Sequence, residues 1–187
     1  MLMCKENEGV LRCFECYEFK KRLWIFLELM DGGALTPMLE ELGGNYRENF
    51  CKYVCWKVLK GLKYLHDRNI MHRDIKSDNI LVSRNGEVKL ADFGYAVQLT
   101  QEQAKRQSKV GTVCWMAPEM IKGKQKYNDK IDVWSFGIFA IELAQGEPPY
   151  ISLEQHRVLY CIANQDPPKI SGGKWSADFV DFVDRCL

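Results

Sequence analysis

Neither sign of charge dominates this sequence: 26 Lys and Arg stand against 25 Asp and Glu, a formal net charge of +1 over 187 residues. That balance excludes a nucleic acid or an anionic membrane as the main electrostatic partner, since either calls for a basic face. Long apolar runs are missing as well. No stretch longer than nine residues is free of charge, whereas a helix crossing a bilayer needs about 20 apolar residues, so no membrane span is expected. Residues 1–10 carry Lys5, Glu6 and Glu8 and lack the apolar centre of a secretory signal. A soluble, cytoplasmic protein is expected. No internal repeat, low-complexity tract or linker interrupts the chain, which reads as one domain context throughout.

Cysteine is not scarce, with eight in the chain. Cys13 and Cys16 have C-x-x-C spacing, and Cys51 and Cys55 could share a helix face. The first pair lies in a strand-like run, where positions i and i+3 point to opposite faces. The second pair is C-x-x-x-C in a helix-patterned segment. Neither spacing suits a zinc site, so scattered reduced thiols are the expectation.

Periodicity outlines the elements. Residues 10–17 and 23–30 are apolar-rich and joined by Glu18-Phe19-Lys20-Lys21-Arg22, which predicts two antiparallel strands with a charged turn. Asp31-Gly32-Gly33 breaks the run. A short helix is predicted over 37–42 and a long one over 49–69, where Phe50, Val54, Val58, Leu62 and Leu65 recur at helical steps and form a core stripe. Ile80-Leu81-Val82 and Val88-Lys89-Leu90 flank Asn85-Gly86, the commonest signal for a two-residue hairpin turn. Residues 95–110 are polar and aperiodic and read as a mobile loop. Residues 129–144 are so apolar that a helix buried on most sides is expected, stopped by Gly146 and Pro148-Pro149. Further helices are predicted over 153–163 and 176–187.

The chemistry concentrates in His72-Arg73-Asp74-Ile75-Lys76-Ser77-Asp78-Asn79 and, across the hairpin, Asp92-Phe93-Gly94. These two stretches offer a base, a cation and two metal ligands. A phosphoryl group on ATP is already activated, so its transfer needs mainly positioning and charge neutralisation, which such groups supply. The hairpin brings Asn79 and Asp92 to its open ends, where a carboxamide and a carboxylate could face one Mg²⁺.

Together with Ala117-Pro118-Glu119, these motifs resemble the eukaryotic protein kinases in order and spacing, and the resemblance covers essentially the whole chain. It implies an α+β, protein-kinase-like fold: the last strands of the N-lobe and the hinge over 1–30, and an incomplete, mainly α-helical C-lobe over 31–187. It implies Asp74 as the group that accepts or orients the substrate hydroxyl proton, Lys76 on the moving γ-phosphoryl, and Asn79 with Asp92 on Mg²⁺. Lys76 and Thr112 look like the serine/threonine subgroup. The strand running into Asp31-Gly32-Gly33 resembles the hinge that binds adenine, with backbone groups of Glu28 and Met30 on the base, Leu27 limiting the depth of the pocket and Leu81 as its floor. Asp132 resembles the buried aspartate that holds the catalytic-loop backbone, a role compatible with its place at a helix N-terminus.

Finer resemblance points to the sterile-twenty group and its PAK branch, through Met71 to Leu81, Lys105-Arg106, Trp115-Met116-Ala117-Pro118-Glu119 and Gly146-Glu147-Pro148-Pro149-Tyr150. That branch implies a Rho-type small GTPase as partner, acting on regions outside this chain, besides the protein substrate. Two departures stand out. Ser108 falls at the branch's activating threonine, and Val113-Cys114 replaces the usual Pro-Tyr. A phosphate on Ser108 is expected to pair with Arg73 and order the loop.

No G-x-G-x-x-G loop or V-A-I-K lysine precedes the hinge, so the chain is expected to begin just downstream of the helix carrying the paired glutamate. Its far end is expected to stop short of the arginine that partners Glu119. Two readings follow: part of an active serine/threonine kinase, or a truncated, catalytically inactive binding or regulatory module. The intact Asp74, Lys76, Asn79 and Asp92 favour the first for the parent protein, whereas this chain by itself is expected to be inactive, because the groups that hold the nucleotide from the other side lie outside it.

Overall fold

The computed structural model describes residues 7–43, 46–99, 111–123 and 126–187. Its centre is the helix α4, Lys130–Gln145, in which thirteen of sixteen residues are buried. With no polar face to turn to water, such a helix is stable only when other elements surround it. α2, Glu48–His66, packs against it. Val54, Val58, Leu62 and Leu65 are buried as the spacing predicts, Phe50 is half-buried, and Cys51 and Cys55 widen the stripe. The helix ends three residues earlier than expected. α1 spans Leu35–Leu42, α3 Pro118–Lys122, α5 Gln155–Asn164 and α6 Ala177–Asp184. The Ser176 hydroxyl caps α6 by accepting the Phe179 N–H at 3.2 Å.

Strands β1, Cys13–Phe19, and β2, Arg22–Leu27, pair antiparallel with Phe19 opposite Arg22. The connection is therefore only Lys20-Lys21, and both lysines have positive φ, 50° and 59°. A two-residue turn of that hand matches the right-handed twist of the strands, and two side chains that disfavour it are held there by the ladder on either side. β3, Gly33–Ala34, β5, Ile80–Val82, and β6, Val88–Leu90, form a three-stranded sheet in the order β3-β5-β6. The chain before β1 joins this sheet: Leu11 N–H donates to Leu90 O at 2.9 Å and Leu90 N–H to Gly9 O at 2.8 Å.

Two expectations need correction. The β5–β6 connection is not a two-residue turn: Ser83 N–H donates to Glu87 O and Gly86 N–H to Ser83 O, both at 3.0 Å. Arg84-Asn85-Gly86 is thus a three-residue loop in which only Gly86 takes positive φ, 87°, the arrangement of a turn followed by a glycine bulge. The segment after Gly94 is also more regular than expected, since β7, Val97–Gln98, pairs antiparallel with β4, Ile70–Met71. Two backbone pairs beside the buried Ile70 and Met71 need no apolar alternation in the partner, so composition did not show it. Residues 100–110, with Lys105, Arg106 and Ser108, lie outside the described residues.

Candidate active site

Five of the eight residues 72–79, namely His72, Asp74, Ile75, Ser77 and Asn79, are buried, and buried backbone must find partners. Asp132 in the first turn of α4, fully buried, supplies them. Its Oδ2 accepts the His72 N–H at 2.8 Å and its Oδ1 the Arg73 N–H at 2.7 Å. His66 at the end of α2 reaches the same carboxylate, with Nε2 2.8 Å from Oδ2. The His72 ring is fixed in turn. Nε2–H donates to the Ala91 carbonyl at 2.9 Å, Nδ1 accepts the Asp74 N–H at 3.3 Å, and Phe93 meets the ring edge-on at 5.2 Å. Burial pushes this imidazole below its ordinary pKa, which agrees with a neutral ring that donates at one nitrogen and accepts at the other.

Asp74, 5% exposed, is the hub of the site. Its Oδ1 accepts both the N–H (3.0 Å) and the hydroxyl (2.8 Å) of Thr112, and its Oδ2 accepts from Asn79 Nδ2 at 2.9 Å. Lys76 Nζ donates to the Thr112 hydroxyl at 2.8 Å and stands 3.6 Å from Asp74 Oδ2. The proton order is unambiguous: the ammonium donates to the hydroxyl, and the hydroxyl donates to the carboxylate. Thr112 reaches this position from a sequence distance of 38 residues because the chain crosses Arg73 at Gly111. Gly111 has φ 116°, and a Cβ there would sit 2.7 Å from the Arg73 carbonyl oxygen, so only glycine fits.

The structure brings Asp74, Lys76, Asn79 and Thr112 together. Asp92 lies beyond the open end of the β5–β6 hairpin, where Ala91 N–H donates to the Asn79 carbonyl at 2.8 Å. It is exposed, has φ 57°, and accepts the Gly94 N–H on Oδ1 at 3.0 Å. With Phe93 and Gly94 it lines a cavity of about 280 Å³ whose other wall includes Leu11, Ile25 and Leu27. Leu27 is therefore at a pocket wall. Leu11 also belongs to a small apolar cluster with Met30 and Ala91, against which Leu81 packs.

Glu28 is held through both its backbone N–H and its side chain. Its N–H donates to the Arg12 carbonyl at 2.9 Å, so any pairing with a base rests on its carbonyl. Its carboxylate accepts from the Lys89 ammonium and from the Arg12 N–H. Arg73 is also engaged: Nε donates to the Tyr95 carbonyl at 2.6 Å and Nη1 to the Tyr127 hydroxyl at 3.3 Å. Ser108, its expected partner, lies outside the described residues. Glu119 is half-buried.

Several residues of the site escaped the sequence reading. Leu11 walls the cavity, His66 shares Asp132, and Glu142 receives Ser77 and Trp115. A buried-helix pattern broken by one glutamate was the available signal for the last, because a carboxylate in an apolar helix requires partners.

Compared with known proteins, the chain matches the family described as "Protein kinase domain" over residues 1–187. It is 46% identical over 189 residues to the serine/threonine-protein kinase pakA of Dictyostelium discoideum. It is 43% identical over 190 residues to serine/threonine-protein kinase pak-1 of Caenorhabditis elegans and 42% identical over 190 residues to serine/threonine-protein kinase PAK 1 of Mus musculus. Each comparison covers 100% of this chain but only 16%, 33% and 34% of the respective relative. The chain thus spans about a third or less of the length of these relatives. Across its own whole length, in motifs and in matched residues alike, the chain belongs to the protein kinase domain family and is similar to PAK-type serine/threonine kinases.

Proposed function

We propose that this chain carries the catalytic region of a serine/threonine protein kinase, which transfers the γ-phosphoryl of ATP to a protein Ser or Thr hydroxyl. The observation that supports this reading most is the Asp74–Thr112–Lys76 arrangement. Asp74 Oδ1 already accepts from one hydroxyl at 2.8 Å, the distance at which a general base takes a proton. In the reaction the substrate oxygen attacks the γ-phosphorus, the bond to the β,γ-bridging oxygen breaks, ADP leaves, and the hydroxyl proton passes to Asp74. Lys76, held beside Asp74, offsets charge on the moving phosphoryl. Thr112 sets the space for an aliphatic hydroxyl.

The donor set suits a divalent cation. Asn79 spends its Nδ2 on Asp74, at the backbone oxygen (2.7 Å) and at Oδ2, which turns its amide oxygen to other use, and Asp92 adds a carboxylate. Oxygen ligands of this kind fit Mg²⁺. When bound, the cation supplies charge neutralisation at the nucleotide phosphates. Leu27, the Glu28 carbonyl, Met30 and Leu81 are the adenine side, and residues 1–30 and 31–187 divide between N-lobe and C-lobe. Arg73 with a phosphate on Ser108 is the control element, a Rho-type GTPase the upstream partner, and the cytoplasm the compartment.

The test is phosphoryl transfer from Mg·ATP to a generic basic protein by the extended protein that contains this chain, with Asp74→Asn alongside. Loss of a general base costs roughly 10²–10⁴-fold in rate, so equal labelling by both proteins rejects Asp74 as base. Nucleotide binding without transfer by either protein would favour the binding-module reading.

A further inference from the structure

Charge is even over the whole chain but not along α2. Residues 49–66 carry Lys52, Lys57, Lys60 and Lys63 and no Asp or Glu, so the outer side of this helix holds a local surplus of positive charge. Tyr53, Trp56, Lys57 and Lys60 stand at positions i, i+3, i+4 and i+7 and share one stripe. The other side, with Val54, Val58 and Leu62, is turned into the core. Tyr53 and Trp56 are 41% and 49% exposed, with ring centroids 6.3 Å apart. Lys60 Nζ lies 4.1 Å and Lys57 Nζ 5.3 Å from the Trp56 ring centroid. Two large rings therefore face water beside two ammonium groups.

The chain itself already sets one carboxylate on this stripe. Gly9 crosses α2 at Gly61, where any side chain would run into the Gly9 carbonyl, and the crossing brings Glu8 Oε2 to 2.9 Å from Lys60 Nζ. Lys60, and after it Lys57, hold the Glu8 carboxyl below its ordinary pKa, although that side chain is 72% exposed. Lys52 and Lys63 are paired as well, with Glu48 at 2.5 Å and Asp67 at 2.9 Å. Lys57 differs from all three. Among the described residues no carboxylate forms an ion pair with its ammonium, which rests against Trp56 and, at 5.9 Å, against Tyr53. An ammonium placed over an aromatic ring is offered at a defined position.

We propose that this face of α2 is a docking surface for an extended acidic segment of a partner protein, whose carboxylates bind Lys57 and Lys60 and whose apolar side chain lies on Trp56 and Tyr53. Charge complementarity and spacing select this occupant. Lys57 and Lys60 are nearly one turn apart, about 5 Å along the axis, and acids at alternate positions of an extended segment project to one side about 7 Å apart. An apolar residue two positions before the first acid falls on the rings. The incoming acid takes the place of Glu8 on Lys60. An anionic membrane fits the face less well. A helix lying on a bilayer buries its apolar side among the lipids, whereas α2 has spent that side on the core, and the Tyr53 hydroxyl is tied to the Gly86 carbonyl at 2.8 Å. None of these residues belongs to the Asp74 site, so the docking surface stands whether or not the kinase reading does.

The experiment is fluorescence anisotropy of a labelled peptide, a leucine followed by glutamates two and four positions on, titrated with the full chain. Saturable binding is expected, weakened by about 0.5 M salt and absent when both glutamates are replaced by glutamine. Trp56→Ala and Lys57→Glu should each weaken it roughly tenfold, as loss of a central aromatic or charged anchor does. Lys122→Glu makes the same charge change at an exposed position on α3 and should leave binding within about twofold. Glu8→Gln vacates Lys60 and should tighten binding about threefold, whereas Glu154→Gln, at another exposed carboxylate, should not. Reversing the charges supplies the check that survives any loss of stability in Trp56→Ala: a peptide with lysines in place of the glutamates should bind the Lys57→Glu, Lys60→Glu double variant and not the unmodified chain. Equal weakening by Lys57→Glu and Lys122→Glu, or no saturation at about 1 mM peptide, overturns the proposal. It is equally overturned if Lys57→Glu abolishes sedimentation with phosphatidylserine vesicles but leaves peptide binding unchanged, since the face then belongs to a membrane.

Discussion

The helix α4 and the β1–β2 hairpin are the two most apolar stretches of the molecule, and they meet opposite fates. In α4, Phe136, Ile138, Phe139, Ile141 and Leu143 are at most 2% exposed. In β2, Leu23, Trp24, Ile25, Phe26 and Leu27 are between 44% and 63% exposed. Apolar composition drives burial only when a neighbouring element is there to receive it. α4 is enclosed by α2, α6 and the 3₁₀ turns Ser77–Asn79 and Val113–Trp115. Among the described residues the hairpin is a two-stranded sheet, and a sheet of that size is at best marginally stable on its own. It is held by its tight turn, by Tyr17 stacked on Phe26 with ring centroids 5.5 Å apart, and by the Lys89–Glu28 ion pair at its base.

The sharpest test of this contrast is Phe139→Ala. Removing a fully buried ring leaves a cavity that close-packed neighbours fill poorly, and the expected loss is about 3–5 kcal/mol, read from urea unfolding. A loss below about 1 kcal/mol would mean that α4 is no better packed than the hairpin. Asp132→Ala should come next. It leaves the buried N–H groups of His72 and Arg73 unpaired, at roughly 1–3 kcal/mol each, which urea unfolding reads as lost stability.

The third test uses pH, and it separates α4 from the surface. Glu142 is raised from 4.5 to about 7 by burial, so the native state holds a proton that the unfolded chain has released. The corresponding stability is fully present below about pH 4.5 and is lost as pH rises through 7, on the order of 3 kcal/mol. Glu48 at the start of α2 runs the other way. Bonds from Lys52 and Ser176 lower it to about 2, so its contribution is present above pH 4.5 and disappears as pH falls. Urea midpoints at pH 5 and pH 8 should therefore differ less in Glu142→Gln than in the unmodified protein. An identical difference in both would show that Glu142 ionises normally.

The smallest effect belongs to the hairpin. Leu23→Ser, at a position 63% exposed, should change stability by less than about 0.5 kcal/mol while lowering self-association in sedimentation, because it interrupts an exposed apolar patch. A loss comparable to that of Phe139→Ala would show that the hairpin is covered in solution.

What could be read from residues alone was whatever depends on near neighbours. The 3.6-residue period of Val54, Val58, Leu62 and Leu65, the apolar run of α4, its stop at Gly146, and the close-set residues Asp74, Lys76, Asn79 and Asp92 are all local patterns. They determined the element types, the residues that carry chemistry and the family. Backbone demands at a distance were out of reach. Lys20-Lys21 takes the left-handed turn because two twisted strands require it, and Asn85-Gly86 becomes part of a longer loop because Ser83 pairs with Glu87. The partners of the site were the least legible of all. Glu142 meets Ser77 from 65 residues away and Trp115 from 27, and no spacing rule links positions so far apart. The sequence of itself determined which groups are present at the His72 to Asn79 loop. Only the tertiary structure decided that a buried helix, through Asp132 and Glu142, holds them in place, because a buried carboxylate takes whatever donors the packed chain brings to it.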